Sequence, residues 1–361
     1  MTREEFQLLN AFRESGQEAF QKGTARSGIS EARRSRIFRD LAQKGWLSRE
    51  GLTKAGVEAL RPYRVDNAVI MAAGLSSRFV PLCLEKPKGL LPVKGEILIE
   101  RQIRQLQEAG IQEIILVVGY RREDFLYLQD MFAGLKILVN LEYNSRNNTH
   151  TLYLARESLG NTYICSSDDY FTENPFDKYV YQSYYAADHV EEKTNEWYMI
   201  PDENGNIREV KMHCDRGDVM LGHAYWDRSF SAAMRERLDE SHESGRYEQN
   251  LWEQIVLEHV RELPPMEIRV YPPHVIFEFD SLDELRAFDT AYKDGSQSRI
   301  LQKLSEMLNC PEGELRAFRP ITEGRDTVGF TFEAKDRLYT CRLSDGDSAD
   351  LTISPIPADD L

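Results

Sequence analysis

The sequence predicts an α/β protein built around a doubly wound, mostly parallel sheet, and three observations carry that expectation. Between residues 66 and 165, short apolar runs alternate with stretches of helical period. The runs are continuous rather than alternating, as in strands buried on both faces. A chain of 361 residues, 41% hydrophobic and 10% aromatic, also has enough apolar material for two or three domains and an enzyme-sized core.

Taken in order, residues 68–73 (Ala-Val-Ile-Met-Ala-Ala) form the first buried strand, and residues 97–108 a helix that Gly110 closes. Residues 114–118 are a second strand, followed by a helix over 124–132. A third strand over 135–140 precedes a helix over 151–159, and residues 163–165 are a fourth strand. Ahead of this body, residues 4–12 are amphipathic, and Ser30 stands where a helix through Leu41 would be capped. That helix carries Arg33, Arg34, Arg36 and Arg39. Residues 45–47 break it, and residues 52–60 start another. Pro62 and the polar residues to Asn67 predict a linker. After Ser298 a helix to Asn309 leads into strand-like runs over 328–333 and 338–343. The expected domains are 1–64, 65–298 and 299–361.

Charge narrows the function. The chain carries 45 Lys/Arg against 60 Asp/Glu, a net of −15. Residues 1–64 hold 13 Lys/Arg and 8 Asp/Glu, so the head is basic and the remainder strongly acidic. An acidic body argues against indiscriminate nucleic-acid binding as the main activity. No apolar run approaches the roughly 18 residues that span a bilayer, and the N-terminus lacks an apolar signal core. Five scattered cysteines, none in CxxC spacing, fit a reduced cytoplasm better than a disulfide framework or a zinc site.

In a doubly wound sheet, ligands bind beyond the C-terminal strand ends. After the first strand comes Gly74-Leu75-Ser76-Ser77-Arg78, then Pro87-Lys88. This is neither GxGxxG nor a Walker loop. A small-residue loop there exposes backbone N–H groups to a polyphosphate, with Arg78 and Lys88 as neutralising cations. The fourth strand ends in Ser166-Ser167-Asp168-Asp169, and a carboxylate in that place suits Mg²⁺, which takes one or two protein carboxylates while gripping phosphates. Near residue 278, strand period two puts Glu278 and Asp280 on one face and Phe277 and Phe279 on the other. Asp168, Glu278 and Asp280 are therefore the expected metal ligands, with Asp169 either a contact for the substrate ammonium or a supporting acid behind them.

The string Ala72-Ala73-Gly74, Arg78, Pro81 and Pro87-Lys88 resembles the AAGxGxRxxP…PK signature of nucleotidyltransferases, with Ser76 in place of the usual second glycine. Residues 66–298, about two thirds of the chain, resemble bacterial phosphocholine cytidylyltransferases. The runs NNTHTLYLARESLGNTYICSSDDYF, TNEW, LGHAYW and FEFDSLDEL fall in that family's order. The resemblance implies a nucleotidyltransferase, Rossmann-like fold and Mg²⁺-dependent transfer of CMP from CTP to a phosphorylated amino alcohol. It implies nucleotide contacts by Ala72, Ala73, Gly74, Ser76, Arg78, Gly119, Tyr120, Asn148 and Thr149, and catalysis by Arg78, Lys88 and Asp168.

Tryptophan faces beside carboxylates suit an ammonium group. On that ground Glu196 and Trp197, backed by Trp252 and Glu253, are the expected substrate cage, while Trp226 is expected in the core. Two further resemblances concern the ends of the chain. Residues 1–64 resemble a winged helix-turn-helix module, for which a helical cap used in dimerisation or in packing on the body is the leading expectation and DNA binding the lesser one. Residues 321–343 resemble the first hairpins of choline-kinase-like proteins, with an altered loop at Gly324-Arg325-Asp326 and no catalytic HxD loop following, so kinase activity is expected to be absent. A homodimer is compatible with these features. The competing functions are a sugar-1-phosphate nucleotidyltransferase and a regulator whose body senses a CDP-alcohol.

Overall fold

The computed structural model describes residues 1–22, 30–48, 50–344 and 347–356. Its centre is a nine-stranded mixed sheet. In chain order the strands are β1 (Asn67–Ala72), β2 (Glu113–Val118), β3 (Leu135–Val139), β4 (Thr162–Ser166), β5 (Tyr184–Val190), β6 (Thr194–Pro201), β7 (Ile207–Cys214), β8 (Gly217–Trp226) and β9 (Glu267–Tyr271). Their spatial order is β7-β6-β8-β4-β1-β2-β3, with β5 pairing both β8 and β9.

The parallel half is the one the sequence marks. Strand β1 pairs in parallel with β2 on one side and β4 on the other, and β3 continues beyond β2. Beyond β4 the sheet turns antiparallel through β8, and β5, β6 and β7 join there. That half lacks the continuous apolar runs of a doubly covered strand, which is why residues 184–226 gave no strand signal of the same kind. The order reverses between β1 and β4, so the crevice of the fold opens between their C-terminal ends.

Period two divides the side chains of the central strands. Ala68, Ile70, Ala72, Ile114, Leu116 and Val118 pack on one face against Ile99, Ile103 and Leu106. Val69, Ile115 and Val117 pack on the other against Leu152, Phe230, Met234, Trp226 and Trp252. The helix Leu98–Glu108 ends as expected: Gly110 takes φ +87°, and Ile111 N–H returns to the Leu106 carbonyl at 3.0 Å.

Several boundaries differ from the sequence reading. The 124–132 segment splits into a 3₁₀ turn, Arg122–Phe125, and a short helix, Tyr127–Met131. The helix expected over 151–159 begins earlier, at Asn148–Leu154, because the Asn147 side chain caps it by accepting from Asn148 N–H. Ser30 directly precedes Glu31–Gln43, but its side chain makes no capping bond.

The head consists of the helices Arg3–Lys22, Glu31–Gln43 and Lys54–Leu60, with a small ladder between Leu47–Ser48 and Gly51–Leu52. Its first helix docks on the body. Phe6 packs against Tyr63 and Tyr181, Arg13 lies over the Tyr179 ring, and Arg3 pairs with Glu267 at 2.6 Å. Arg33 pairs back onto Glu4 at 2.7 Å, while Arg36 and Arg39 are exposed.

At the other end, Arg316–Glu323, Asp326–Ala334, Arg337–Ser344 and Asp347–Pro355 form a four-stranded antiparallel sheet. Its Phe318, Phe330, Phe332 and Cys341 share one core with Phe79, Leu82, Leu98 and Phe279 of the body and with Ile300, Leu301 and Leu304 of the helix Arg299–Leu308. Among the described residues, no helix is long and apolar enough to cross a membrane. Cys83, Cys165, Cys310 and Cys341 are buried free thiols.

Candidate functional site

Two adjoining cavities open at the β1–β4 crevice. The inner, of about 240 Å³, is lined by residues 71–76, Pro87, Lys88, Gly89, Tyr143, Asn147, Asn148 and residues 166–168. The outer, of about 480 Å³, takes in Ser76, Ser77, Arg78, Lys88, Asp168 and Asp280. Ala72, Ala73, Gly74, Ser76, Arg78, Lys88, Asn148 and Asp168 thus converge from four separate stretches of chain.

The loop after β1 is shaped for close approach. Ser76 sits in the left-handed region at φ 49°, ψ 39°, a conformation that costs a non-glycine residue about 1 kcal/mol. This is the physical reason that a glycine is the easier residue at that position. Lys88 is carried on a short 3₁₀ turn, and Gly89 beneath it lies so close to Ser167 that a Cβ would stand 3.0 Å from that residue's backbone oxygen.

At the floor, Lys88 Nζ donates to Asp168 Oδ2 at 2.8 Å, with side-chain exposures of 6% and 19%. Ser166 Oγ donates to the other Asp168 oxygen. Burial would raise the Asp168 carboxyl, but the Lys88 charge and both hydrogen bonds overcome it and hold the group below its ordinary range. Burial would likewise lower Lys88, yet Asp168, with Glu278 and Asp280 behind it, keeps its ammonium above the ordinary value.

The second acidic element arrives as expected. Residues Ile276–Glu278 pair antiparallel with Asp169–Phe171, placing Glu278 opposite Asp169. Phe277 and Phe279 stack on the far side against Phe288. Asp280 lies past the strand end and accepts from Arg78 at 2.9 Å. Glu278 is an exposed residue; partial burial of its carboxyl and the Asp168 charge push it up to about 7, with the Lys88 and Arg78 charges offsetting part of that effect. Asp169 is 1% exposed, and neither of its carboxylate oxygens has a hydrogen-bond partner among the described residues. Burial, then Glu278 and Asp168, raise it well above the ordinary range. Gly222, which sequence reasoning passed over, lies beside it: a Cβ there would stand 3.2 Å from the Ser166 Cβ and in ordinary contact with the Asp169 oxygens.

Among the described residues, no three acidic, histidine or cysteine side chains form a ready-made metal cage. The donor set still fits magnesium. Hard carboxylate oxygens of Asp168 and Asp280 line the outer cavity, Glu278 lies close enough to raise the Lys88 ammonium, and the buried Asp169 oxygens have no hydrogen-bond partner among the described residues. Magnesium needs only one or two protein carboxylates when phosphate and water complete its shell.

Other expected contacts fall elsewhere. Gly119 and Tyr120 line neither cavity. Tyr120 N–H donates to the Ala73 carbonyl at 3.1 Å, and a Cβ on Gly119 would stand 2.8 Å from that same oxygen, so the pair buttresses the loop from behind. The Thr149 hydroxyl is buried and donates to the Asn250 carbonyl at 2.8 Å. Tyr143 and Asn147, which the motif did not single out, line the inner cavity instead.

The cage expected from Trp197 and Trp252 is also corrected. Trp252 is 1% exposed, with Trp226 edge-on at 5.1 Å and Tyr185 at 5.7 Å, so its faces are taken by the core. Glu253 accepts from Tyr185 Oη at 3.1 Å, and burial pushes it up to about 7. Trp226 is buried as expected. Trp197 is half-buried and Glu196 exposed on β6, where Trp197 stands opposite Met212 of β7.

Residues 68–172 match the MobA-like NTP transferase domain. The chain is 31% identical over 227 residues to the choline-phosphate cytidylyltransferase of Streptococcus pneumoniae, covering 63% of this chain and 98% of that protein. It is 32% identical over 231 residues to the 2-aminoethylphosphonate cytidylyltransferase of Lancefieldella rimae, covering 63% of this chain and 93% of the relative. The solved structure of the CTP:phosphocholine cytidylyltransferase of Streptococcus pneumoniae superposes with a TM-score of 0.59 at 31% identity, over 68% of this chain and 99% of that one. Relatives at 31–32% identity, matched over nearly their whole length, establish that this chain is a nucleotidyltransferase of the choline-phosphate cytidylyltransferase-like family.

Proposed function

We propose that this enzyme transfers CMP from CTP to phosphocholine or a related amino-alcohol phosphate or phosphonate, releasing pyrophosphate. One observation carries the reading: a buried Lys88–Asp168 pair at the β1–β4 switch point, sharing its cavities with the small-residue loop and the Asp280 carboxylate. The names of the two relatives that share 31–32% identity support the acceptor class.

In this reading the N–H groups of the 72–76 loop hold the phosphates, and Asn148 lies at the nucleoside end of the inner cavity. An oxygen of the acceptor phosphate attacks the α-phosphorus in line, and the bond from that phosphorus to the β-phosphate oxygen breaks. Lys88 stabilises charge on the α-phosphoryl oxygens, and Arg78 stabilises charge on the departing pyrophosphate. A general base is unnecessary, because the acceptor phosphate is largely ionised at neutral pH. Asp168, Glu278 and Asp280 would hold magnesium, which when bound supplies charge neutralisation and a template for the phosphates. For that, Arg78 must exchange Asp280 for a phosphate. Trp197 with Glu196 remains our assignment for the acceptor ammonium.

We further propose that residues 1–64 act as a cap on the body, supported by the docking of the first helix, and that the protein works in a cytoplasmic setting. Pyrophosphate release measured with CTP, UTP, dTTP and ATP against phosphocholine, phosphoethanolamine, 2-aminoethylphosphonate and glucose 1-phosphate tests the function. Turnover with CTP and an amino-alcohol acceptor is the expected result. Preference for a sugar phosphate with UTP or dTTP would replace this reading with the sugar-nucleotide one.

A further inference from the structure

The C-terminal sheet contributes to the nucleotide cleft. Gly324 and Arg325 form the two-residue turn between Arg316–Glu323 and Asp326–Ala334, with Gly324 at φ +65°. This turn reaches back to the body. Arg325 lines both cavities, and Thr322 and Gly324 line the outer one. The hairpin is tied to the body at the edge of the cleft: Asn144 Nδ2 donates to Asp326 Oδ1 at 3.0 Å, and Arg325 donates to the Arg146 carbonyl at 3.1 Å and to Gln249 Oε1.

The charges of the cleft make this arginine distinctive. Lys88 is already paired with Asp168, and Arg78 with Asp280. The hydrogen bonds of Arg325 go to neutral oxygens, so among the described residues no carboxylate compensates its charge. Those bonds use two of the five N–H donors of a guanidinium, leaving three for a ligand. A half-buried cation at the junction of two cavities, one of them bounded by the phosphate loop and Arg78, matches a polyphosphate better than a base or a sugar.

We infer that Arg325 binds the β- and γ-phosphates of the nucleoside triphosphate, and that the appended hairpin forms a wall of the active site. The inference rests on the nucleotidyltransferase reading and adds to it a binding residue delivered from outside the 65–298 body.

The test is calorimetric binding of CTP and CMP to the full chain, as wild type, Arg325→Gln and Arg325→Lys, alongside steady-state kinetics. CMP lacks the two phosphates in question. Arg325→Gln should weaken CTP binding by roughly 10-fold to 100-fold, the loss of a charged hydrogen-bonding partner, and raise the inhibition constant of pyrophosphate in parallel. Binding of CMP and the KM for the acceptor should stay within about 2-fold, a split that a merely structural arginine would not produce. Arg325→Lys should recover part of the loss, and it serves if the glutamine variant fails to fold. Equal weakening of CTP and CMP, or unchanged CTP binding in a folded variant, would overturn the assignment. If the wild type binds CTP and turns over, such a result refutes Arg325 alone; if the wild type binds no nucleoside triphosphate, the functional reading itself fails and takes this inference with it.

Discussion

Replacing Lys88 by methionine keeps the length of the side chain and removes its charge, so the variant isolates what the ammonium does. The structure separates two effects. For stability, Lys88 and Asp168 are 6% and 19% exposed in their side chains, and the Asp168 charge is felt by Asp169 and by Glu278, which pairs opposite Asp169. Breaking a fully buried pair costs about 3–5 kcal/mol; the solvent reaching Asp168 and its ability to take up a proton reduce this to roughly 2 kcal/mol. For a chain of 361 residues that corresponds to a fall in melting temperature of about 3 °C. For catalysis, loss of a preorganised charge aimed at the transferring phosphoryl group should lower kcat by about 10²–10³-fold.

Thermal unfolding and pyrophosphate release of Lys88→Met, Asp168→Asn and the double variant measure both. Because the double variant leaves no unpaired buried charge, it should regain most of the lost stability while remaining as inactive as either single variant. A Lys88→Met enzyme that keeps kcat within about 3-fold of wild type would refute the catalytic role. A double variant no more stable than Lys88→Met would refute the electrostatic account of the pair.

Other consequences are as direct. Gly119→Ala places a Cβ 2.7 Å from the Tyr143 Cβ and 2.8 Å from the Ala73 carbonyl, so it should raise the KM for CTP at least several-fold by displacing the phosphate loop; an unchanged KM would show that the loop does not need this support. Gly56→Ala, whose Cβ would stand 2.2 Å from the Trp46 carbonyl, should unfold the head locally and increase proteolysis within residues 1–64 while leaving kcat with CTP within about 2-fold; a matching loss of turnover would make the head part of the catalytic unit.

His223 provides the pH prediction. It is fully buried, and desolvation, with Arg269 adding to it, lowers its pKa to about 3 from 6.5. Between those values the unfolded chain binds the extra proton and the folded chain does not, so stability from this site falls as pH drops below 6.5, by up to about 1.4 kcal/mol per pH unit. His223→Phe, which keeps the ring against Tyr163 at 5.5 Å, should flatten the pH dependence of urea unfolding between pH 6 and 5. An unaltered slope would show that the histidine is not held neutral.

How much of this was legible beforehand depended on how local each signal was. The buried runs of β1 and β2, the closing Gly110 and the order of loop, lysine and carboxylates are written within short windows, because a parallel strand covered on both faces must be continuously apolar and a phosphate loop must be small and follow a strand. From those windows the sequence by itself determined the parallel half of the sheet and the strand-end cleft, and it singled out Arg78, Lys88, Asp168, Glu278 and Asp280 as candidates. It placed Ser76 where glycine is easier without revealing the left-handed backbone that explains it.

Contacts set by distance in space could not be read in this way. Trp252 next to Glu253 looks like half of an ammonium cage, yet its ring belongs to the core between Trp226 and Tyr185, since packing around the helix above the sheet decides which way it points. Asp169 differs from Asp168 by one position, but Asp168 lies in the turn after Ser166, where Lys88 and Ser166 reach its oxygens, while Asp169 begins the next strand and its oxygens are buried without a partner among the described residues. Arg325 lies 157 positions beyond Asp168 in the numbering and still lines the same cleft. Only the tertiary structure could bring it there, because a shared hydrophobic core, and not any local pattern, fixes the C-terminal sheet against the body.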